Sequence, residues 1–324
     1  MTLLTTRTWP SERAVKAAEE AARNLQLYSD PECSLIREKL AETYSVGPEN
    51  VLVTNGSDEA LNFAFMAYCS ENSPAVFPDI TYGFYPVFCR LHSVPYREIP
   101  LKDDFTIDPD EYLGSGSMVV IANPNAPTGV ELPVKDIEKI IRGNPDNIVL
   151  VDEAYVDFGA ESCVGLISRY DSLLVVGTFS KSRFLAGARL GFVIGDAGLI
   201  ADLDRIRNST NPYNVNSMTM ACGAAMLEDA DYTNECCRII KENREYTASK
   251  LRELGFCMPD SKANFVFAAH PEISGAEIYG RLRENGILVR HFDKERIRNF
   301  NRITIGTMEQ MKQLISTLER ILER

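Results

Sequence analysis

The stretch "LLVVGTFSKSRFLAGARLGF", Leu173 to Phe192, decides how the rest of the chain is read. Its first half is a short apolar run of the kind that forms a strand buried on both faces. The run breaks off at Ser180-Lys181, and a second apolar segment, "RLGFVIG", follows a few residues later. Lysines are seldom buried without a partner. A charged amine where a buried strand stops is therefore either an ordinary solvated residue or a functional one, and the neighbouring strand ends decide which.

Working outward, similar runs occur at "NVLVTNG", "PAVFP", "MVVIANP" and "NIVLVDEA". Helical periods separate them, over 11–27, in "SLIREKLAETY" with Ser34 as its N-cap, in "SDEALNFAFMAYC", near 133–142 and near 197–208. Continuous apolar strands alternating with helices predict an α/β fold, with a mainly parallel sheet covered on both faces. The pattern then changes. Two long helical segments, "VNSMTMACGAAMLE" and "YTNECCRIIKENREYTASKLREL", lead into strands at "NFVFAA", "GILVR" and "NRITIG" and an amphipathic helix from Met308. The predicted division is an N-terminal helix or arm over 1–27, a large domain over 28–213 and a smaller α+β domain over 214–324.

Bulk composition narrows the class. With 324 residues, 45% of them hydrophobic and 25% charged, the chain can bury a sizeable core. Its net charge of -12 opposes a nucleic-acid surface, and no run of lysines and arginines offsets it. Runs such as "IVLV" fall far short of the roughly 20 residues that cross a bilayer, and "MTLLTTRTWPSER" has no signal-peptide core. No nucleic-acid or membrane partner is expected, and a cytoplasmic location is. The eight cysteines, at 33, 69, 89, 163, 222, 236, 237 and 257, form no C-x-x-C pair, and His92, His270 and His291 are far apart. The cysteines read as small hydrophobes in a reducing compartment, and no metal site is expected.

In open α/β sheets the chemistry gathers beyond the C-terminal strand ends. "VLVT" ends in Asn55-Gly56-Ser57-Asp58, where a glycine turn opens a helix whose free N–H groups suit a phosphate. "MVVIA" ends in the loop "NPNAPTG", and "IVLV" ends in Asp152. An acid closing an apolar run needs a partner, and an aromatic nitrogen that it keeps protonated would serve. "LLVVGTF" ends in Ser180-Lys181, with Arg189 just beyond. An amine, an acid and a phosphate cradle closed by an arginine together match the needs of pyridoxal phosphate: a lysine for its aldehyde, a carboxylate for its ring nitrogen, donors for its phosphate.

"NGSDEA", "PDITYGFYPVF", "NPNAPTG", "VDEAYVDF", "TFSKSRFLAGARLGF" and "NRITIGT" resemble, in order and spacing, the motifs of fold-type I pyridoxal-phosphate aminotransferases, most of all the histidinol-phosphate branch. The resemblance runs from Tyr28 to the C-terminus. It implies a seven-stranded-type sheet sandwiched by helices, with a smaller α+β domain after it. It also implies that Lys181 is the Schiff-base lysine and proton carrier, that Asp152 pairs with the ring nitrogen and that Tyr155 bonds the ring's phenolic oxygen. Tyr82 would stack on the ring, with Tyr85 near enough to take either part. Ser57, Asp58, Ser180 and Arg189 would hold the phosphate, and Gly56, Asn125 and Thr178 would also contact the cofactor. Arg302 would bind a carboxylate, Arg290 a distal phosphate, and Tyr28 would reach a neighbouring subunit's site in a homodimer. Arg183 receives no role.

Two departures stand out. The family loop usually reads N-P-x-N-P-T-G, and its second asparagine is Ala126 here, leaving Asn125 or Asn123 as the nearest replacements. The family also begins with a longer segment that folds over the substrate, whereas this chain enters almost directly at "TWPSERAVKAAEE", so a short or absent lid is expected. The implied reaction is ping-pong transamination, with histidinol phosphate and imidazole-acetol phosphate as one pair and glutamate and 2-oxoglutarate as the other. The alternatives are an aromatic or broad-range aminotransferase, a decarboxylase of a phosphorylated amino acid, and an inactive protein that binds or senses the cofactor.

Overall fold

The chain is seen here as a computed structural model that describes residues 9–323. The first eight residues of the expected N-terminal arm lie outside that range. Helices α1 (Glu12–Ala21) and α2 (Ser34–Tyr44) precede strand β1 (Val51–Thr54), helix α3 (Ser57–Tyr68), β2 (Ala75–Pro78), α4 (Tyr85–Leu91) and β3 (Tyr96–Ile99). Next come β4 (Met118–Ala122), α5 (Val134–Arg142), β5 (Val149–Asp152), β6 (Leu173–Thr178), β7 (Gly191–Gly195), α6 (Ala197–Thr210) and α7 (Ser217–Glu228). The remainder is α8 (Ala230–Glu253), β8 (Phe265–Ala269), α9 (Gly275–Glu284), β9 (Arg290–His291), β10 (Phe300–Thr304) and α10 (Met308–Leu322).

Seven strands form one sheet in the order β1-β7-β6-β5-β4-β2-β3, with β3, β2, β4, β5 and β6 parallel and β7 antiparallel to both of its neighbours. Alternate side chains explain why both faces are covered. Val51, Val53, Val119, Ile121, Val149, Val151, Leu173 and Val175 enter one core, shared with α1, α2, α5 and α7. Leu52, Val120, Leu150, Leu174 and Val176 enter the opposite core, against α3, α4 and α6. Full burial stabilises each such side chain by about 1.5–3 kcal/mol, which is why these runs outweigh any local preference.

The expected α/β sandwich is therefore present, with β3 and α4 as additions. The two helical segments after residue 214 pack differently: α7 joins the core beneath the large sheet, while α8 and α10 cover the antiparallel sheet β8-β10-β9. Ser34 is the first residue of α2 rather than its cap. Its N–H donates to the Asp30 carboxylate at 2.8 Å, which does the capping from four residues back. Of the run "GILVR" only Arg290 joins the ladder, together with the following His291, because Ile287 and Val289 are drawn into the core instead.

Candidate active site

A cavity of about 270 Å³ opens where β1, β2, β4, β5 and β6 end. Strand register sets its floor: Asp152 lies beside Ala122 on one side and Val176 on the other, and Gly191 lies between Thr54 and Thr178. From α3 come Ser57 and Asp58; from the loop after β2, Tyr82; from the loop after β4, Pro124 and Ala126. The segment after β5 gives Tyr155, and the segment joining β6 to β7 gives Ser180, Lys181 and Arg189. The stretch that opened the sequence reading thus wraps one whole side of the cavity.

The α3 end of the site is built for an anion. Among the described residues no side chain caps α3, so its first N–H groups face the cavity with the positive end of the helix dipole. Gly56 has φ +80°, and a Cβ there would lie 2.5 Å from the Arg189 guanidinium. A Cβ on Gly191 would strike the Gly56 carbonyl carbon at 2.4 Å, so β7 also needs a bare backbone where it passes this turn. Thr178 Oγ1 donates to Ser180 Oγ at 3.0 Å. Arg189 is half-exposed and reaches the Asp58 carboxylate at 3.3 Å.

Asp152 is the opposite case, an acid sunk into the floor and 5% exposed. Burial raises its pKa to about 6, against the lowering effect of two hydrogen bonds. Tyr85 Oη donates to Oδ2 at 2.9 Å and the Ala154 N–H donates to Oδ1 at 3.2 Å. Tyr82 donates to Asp58 Oδ1 at 2.8 Å, and burial with that carboxylate pushes its phenol upward. Tyr82 therefore lines the cavity while Tyr85 sits behind Asp152, which separates two tyrosines that the motif alone left interchangeable. The Lys181 ammonium lies 5.4 Å from the centre of the Tyr155 ring, and among the described residues no carboxylate pairs with it.

Asn125 does not line the cavity. Its amide donates to Ile80 O at 2.9 Å and Thr128 Oγ1 at 3.0 Å. Asn123 is likewise spent within its loop, exchanging two hydrogen bonds with Leu132 at 3.0 and 2.8 Å. Ala126 faces the cavity instead.

The substrate candidates fall into two groups. Arg302 is buried in the central strand of the small sheet, its guanidinium 5.1 Å above Phe265, the ring that Tyr155 meets edge-on. Its Nε has no hydrogen-bond partner among the described residues. Arg290 stands directly opposite Arg302 in the β9–β10 register, exposed and stacked over Phe292. Tyr28 is far more exposed, at 84%, and stacks on Tyr213 with ring centroids 4.7 Å apart.

Sequence reading missed the Tyr85–Asp152 bond, since 67 residues separate the partners. It also missed the part of Arg183, which is buried and salt-bridges Asp157 at 3.3 Å. Ser182 donates to the same carboxylate. The residues after Lys181 are thereby tied to the segment after Tyr155. A signal for that tie was present in the "SKSR" and "YVDF" motifs, as a cation and an acid with no other assignment.

Pyridoxal phosphate asks for a lysine, a buried acid and a phosphate site, and the cavity at these strand ends brings the three together. The chain belongs to the aminotransferase class I and II family, whose family model matches residues 2–318. It is 48% identical over 316 residues to histidinol-phosphate aminotransferase from Marinomonas sp. (strain MWYL1), covering 96% of this chain and 90% of that one. It is 46% identical over 318 residues to histidinol-phosphate aminotransferase 2 from Dechloromonas aromatica, covering 96% and 89%. In fold it resembles the histidinol-phosphate aminotransferase from Sinorhizobium meliloti, solved in complex with pyridoxal-5'-phosphate, with a TM-score of 0.91 at 23% identity over 98% of this chain and 89% of that one. The chain is a pyridoxal-phosphate-dependent aminotransferase.

Proposed function

We propose that this aminotransferase exchanges the amino group of histidinol phosphate with 2-oxoglutarate, as a cytoplasmic homodimer. The observation that carries the substrate reading is the Arg302–Arg290 pair, two like charges opposed across neighbouring strands with no carboxylate partner for either among the described residues. Such an arrangement is unfavourable until an anion enters. Histidinol phosphate brings a phosphate and no carboxylate, whereas 2-oxoglutarate brings two carboxylates. The planar fork of arginine accepts either group. The names of the two relatives described above support the same substrate.

Pyridoxal phosphate, when bound, supplies an aldehyde for amine attachment and an electron-accepting ring. In this reading Lys181 holds the cofactor and, once freed, takes the proton from the substrate Cα. Asp152 holds the proton of the ring nitrogen, Tyr155 donates to the phenolic oxygen and Tyr82 covers one ring face. The N–H groups of Ser57 and Asp58, the Thr178 and Ser180 hydroxyls and Arg189 hold the phosphate, and Gly56 leaves room for that arginine. With Asn125 committed to its loop, Tyr155 tunes the phenolic oxygen without a neighbouring amide.

The homodimer reading is supported by the apolar surface left open around Tyr28, where Leu25 is 53% and Leu27 65% exposed. The eight free cysteines support a reducing compartment. Among the described residues, no helix is long and apolar enough to cross a membrane.

The test is a half-reaction. The purified holoenzyme is mixed in turn with histidinol phosphate, phenylalanine and threonine phosphate while the absorbance of the lysine-bound cofactor is followed. Histidinol phosphate is expected to bleach it fastest. Faster bleaching by phenylalanine replaces the substrate assignment with an aromatic one, and no bleaching by any amine leaves an inactive binder.

A further inference from the structure

Tyr85 was an undecided stacking candidate in the sequence and is a fully buried residue in the fold. Its ring meets Phe77 at 5.7 Å and the edge of Tyr82 at 5.6 Å, so packing fixes where its hydroxyl points. That hydroxyl ends on Asp152 Oδ2 at 2.9 Å, while the Ala154 N–H takes the other oxygen. One oxygen of the acid is thus held by a rigid phenol from α4 and the other by the backbone that leads to Tyr155.

We propose that Tyr85 is a positioning residue that keeps Asp152 in its carboxylate form and so places the shared proton on the cofactor's ring nitrogen rather than on the acid. The proposal rests on the cofactor reading above and adds to it a residue that does not line the cavity.

The physical argument is a competition for one proton. A buried carboxyl resists ionisation, and burial is the largest influence on Asp152. Three other groups act on it. Asp58, on α3, repels its charge; Lys181, after β6, attracts it; and the Ala154 N–H stabilises it. Tyr82, on the loop after β2, spends its own hydroxyl on Asp58. The Tyr85 hydrogen bond is the largest of the influences that favour the carboxylate. The phenol is a dependable donor, since burial and the facing carboxylate push its own pKa well above the ordinary value. Without it, a more basic Asp152 draws the proton off the ring nitrogen, and the ring loses the positive charge that makes it an electron sink.

Tyr85→Phe keeps the ring and removes only the hydroxyl, and the holoenzyme is reloaded with cofactor carrying ¹⁵N in the ring. The expected result is a ¹⁵N signal displaced from the protonated toward the unprotonated position, with turnover reduced roughly tenfold. The full chain stripped of cofactor and carrying ¹³C-labelled aspartate reports on the acid directly, with the Asp152 signal assigned by its loss in Asp152→Asn. Its titration midpoint is expected to rise by roughly one to two pH units, the value of a hydrogen bond to a charged group. In the Asp152→Asn background the same Tyr85→Phe change is expected to leave cofactor affinity unmoved, whereas a merely structural tyrosine would penalise both backgrounds alike. An unchanged Asp152 midpoint, or an equal loss of affinity in both backgrounds, overturns the proposal. Failure of the parent protein to bind the cofactor would instead overturn the cofactor reading itself.

Discussion

The floor of the large-sheet cavity and the inner face of the small sheet each bury a charged group that no ion pair among the described residues balances, but they hold it by different means. Asp152 is fixed by two directed hydrogen bonds, from Tyr85 and from the backbone of Ala154, at the end of a strand paired on both sides. Arg302 and Arg290 are held by aromatic faces, Phe265 at 5.1 Å and Phe292 at 5.5 Å, which fix the plane of a guanidinium while leaving its donors free. The first arrangement suits a group that stays bound through every turnover. The second suits ligands that come and go and that differ in shape. In the proposed reading, rigidity is thus concentrated at the cofactor's place and adaptability at that of the two alternating substrates.

The largest expected effect tests the rigid side. Lys181→Ala is expected to lower kcat by about 10⁴-fold, the upper end for loss of a positioned proton carrier, measured in single turnovers so that product release cannot mask it. A parental rate would remove the lysine from the chemistry and leave the two charged regions equivalent. The second test concerns the cost of the floor. In the cofactor-free chain Asp152 has a folded pKa of about 6 against an ordinary 3.8. The folded state therefore holds a proton that the unfolded chain releases. Below pH 4 both states are protonated and stability is complete; as pH rises through 6 the fold must ionise a buried acid, and stability is lost. The loss approaches about 3 kcal/mol above pH 7. The neighbouring Glu153, which burial raises to about 7, adds its own loss over the same range, so Asp152→Asn is expected to lessen the slope by about the Asp152 share and leave the rest, read from denaturant midpoints at pH 4 and pH 7.5. Parallel curves for the two proteins would mean that the floor carries no such strain.

How far the sequence reveals this division depends on the range of the interaction. Lys181, Asp152 and Ser57 were legible because each follows the end of an apolar run, and Arg189 because it opens the next one, which returns from the same edge of the sheet. β3 escaped notice because "YREI" is an edge strand with three exposed residues, so it has no apolar run to announce it. α4 escaped because seven residues beginning at Tyr85-Pro86 are too few to show a period. Asn125 pointed to the cavity only by proximity in sequence, and the turn it stabilises through Ile80 and Thr128 takes its amide away. The side of the fold taken by α7 was not legible either, since a helix with "MACGAAM" at its centre is apolar nearly all round and fits any core. What the chain conceals is pairing across long separations, and Tyr85 with Asp152 is the instance with the most chemistry in it.

The smallest effects separate the two arginines. Arg302 is buried and central, so Arg302→Ala removes a desolvated fork and is expected to raise KM for both substrates roughly 10²-fold, while leaving the visible spectrum of the bound cofactor unchanged. Arg290 is exposed and screened by solvent and salt, so Arg290→Ala is expected to cost only about tenfold. The loss should also be selective. A phosphate monoester gathers nearly two charges on one group at neutral pH, whereas glutamate spreads its two over separate carboxylates, so the phosphate needs both cations at one place more. The KM for histidinol phosphate is therefore expected to rise and that for glutamate to stay within about twofold, with the difference shrinking as salt is added. Equal losses for the two substrates would place Arg290 in general electrostatic steering. A loss for glutamate alone would mean that Arg290 takes a carboxylate rather than the phosphate, and would remove the reason for setting a second cation opposite Arg302.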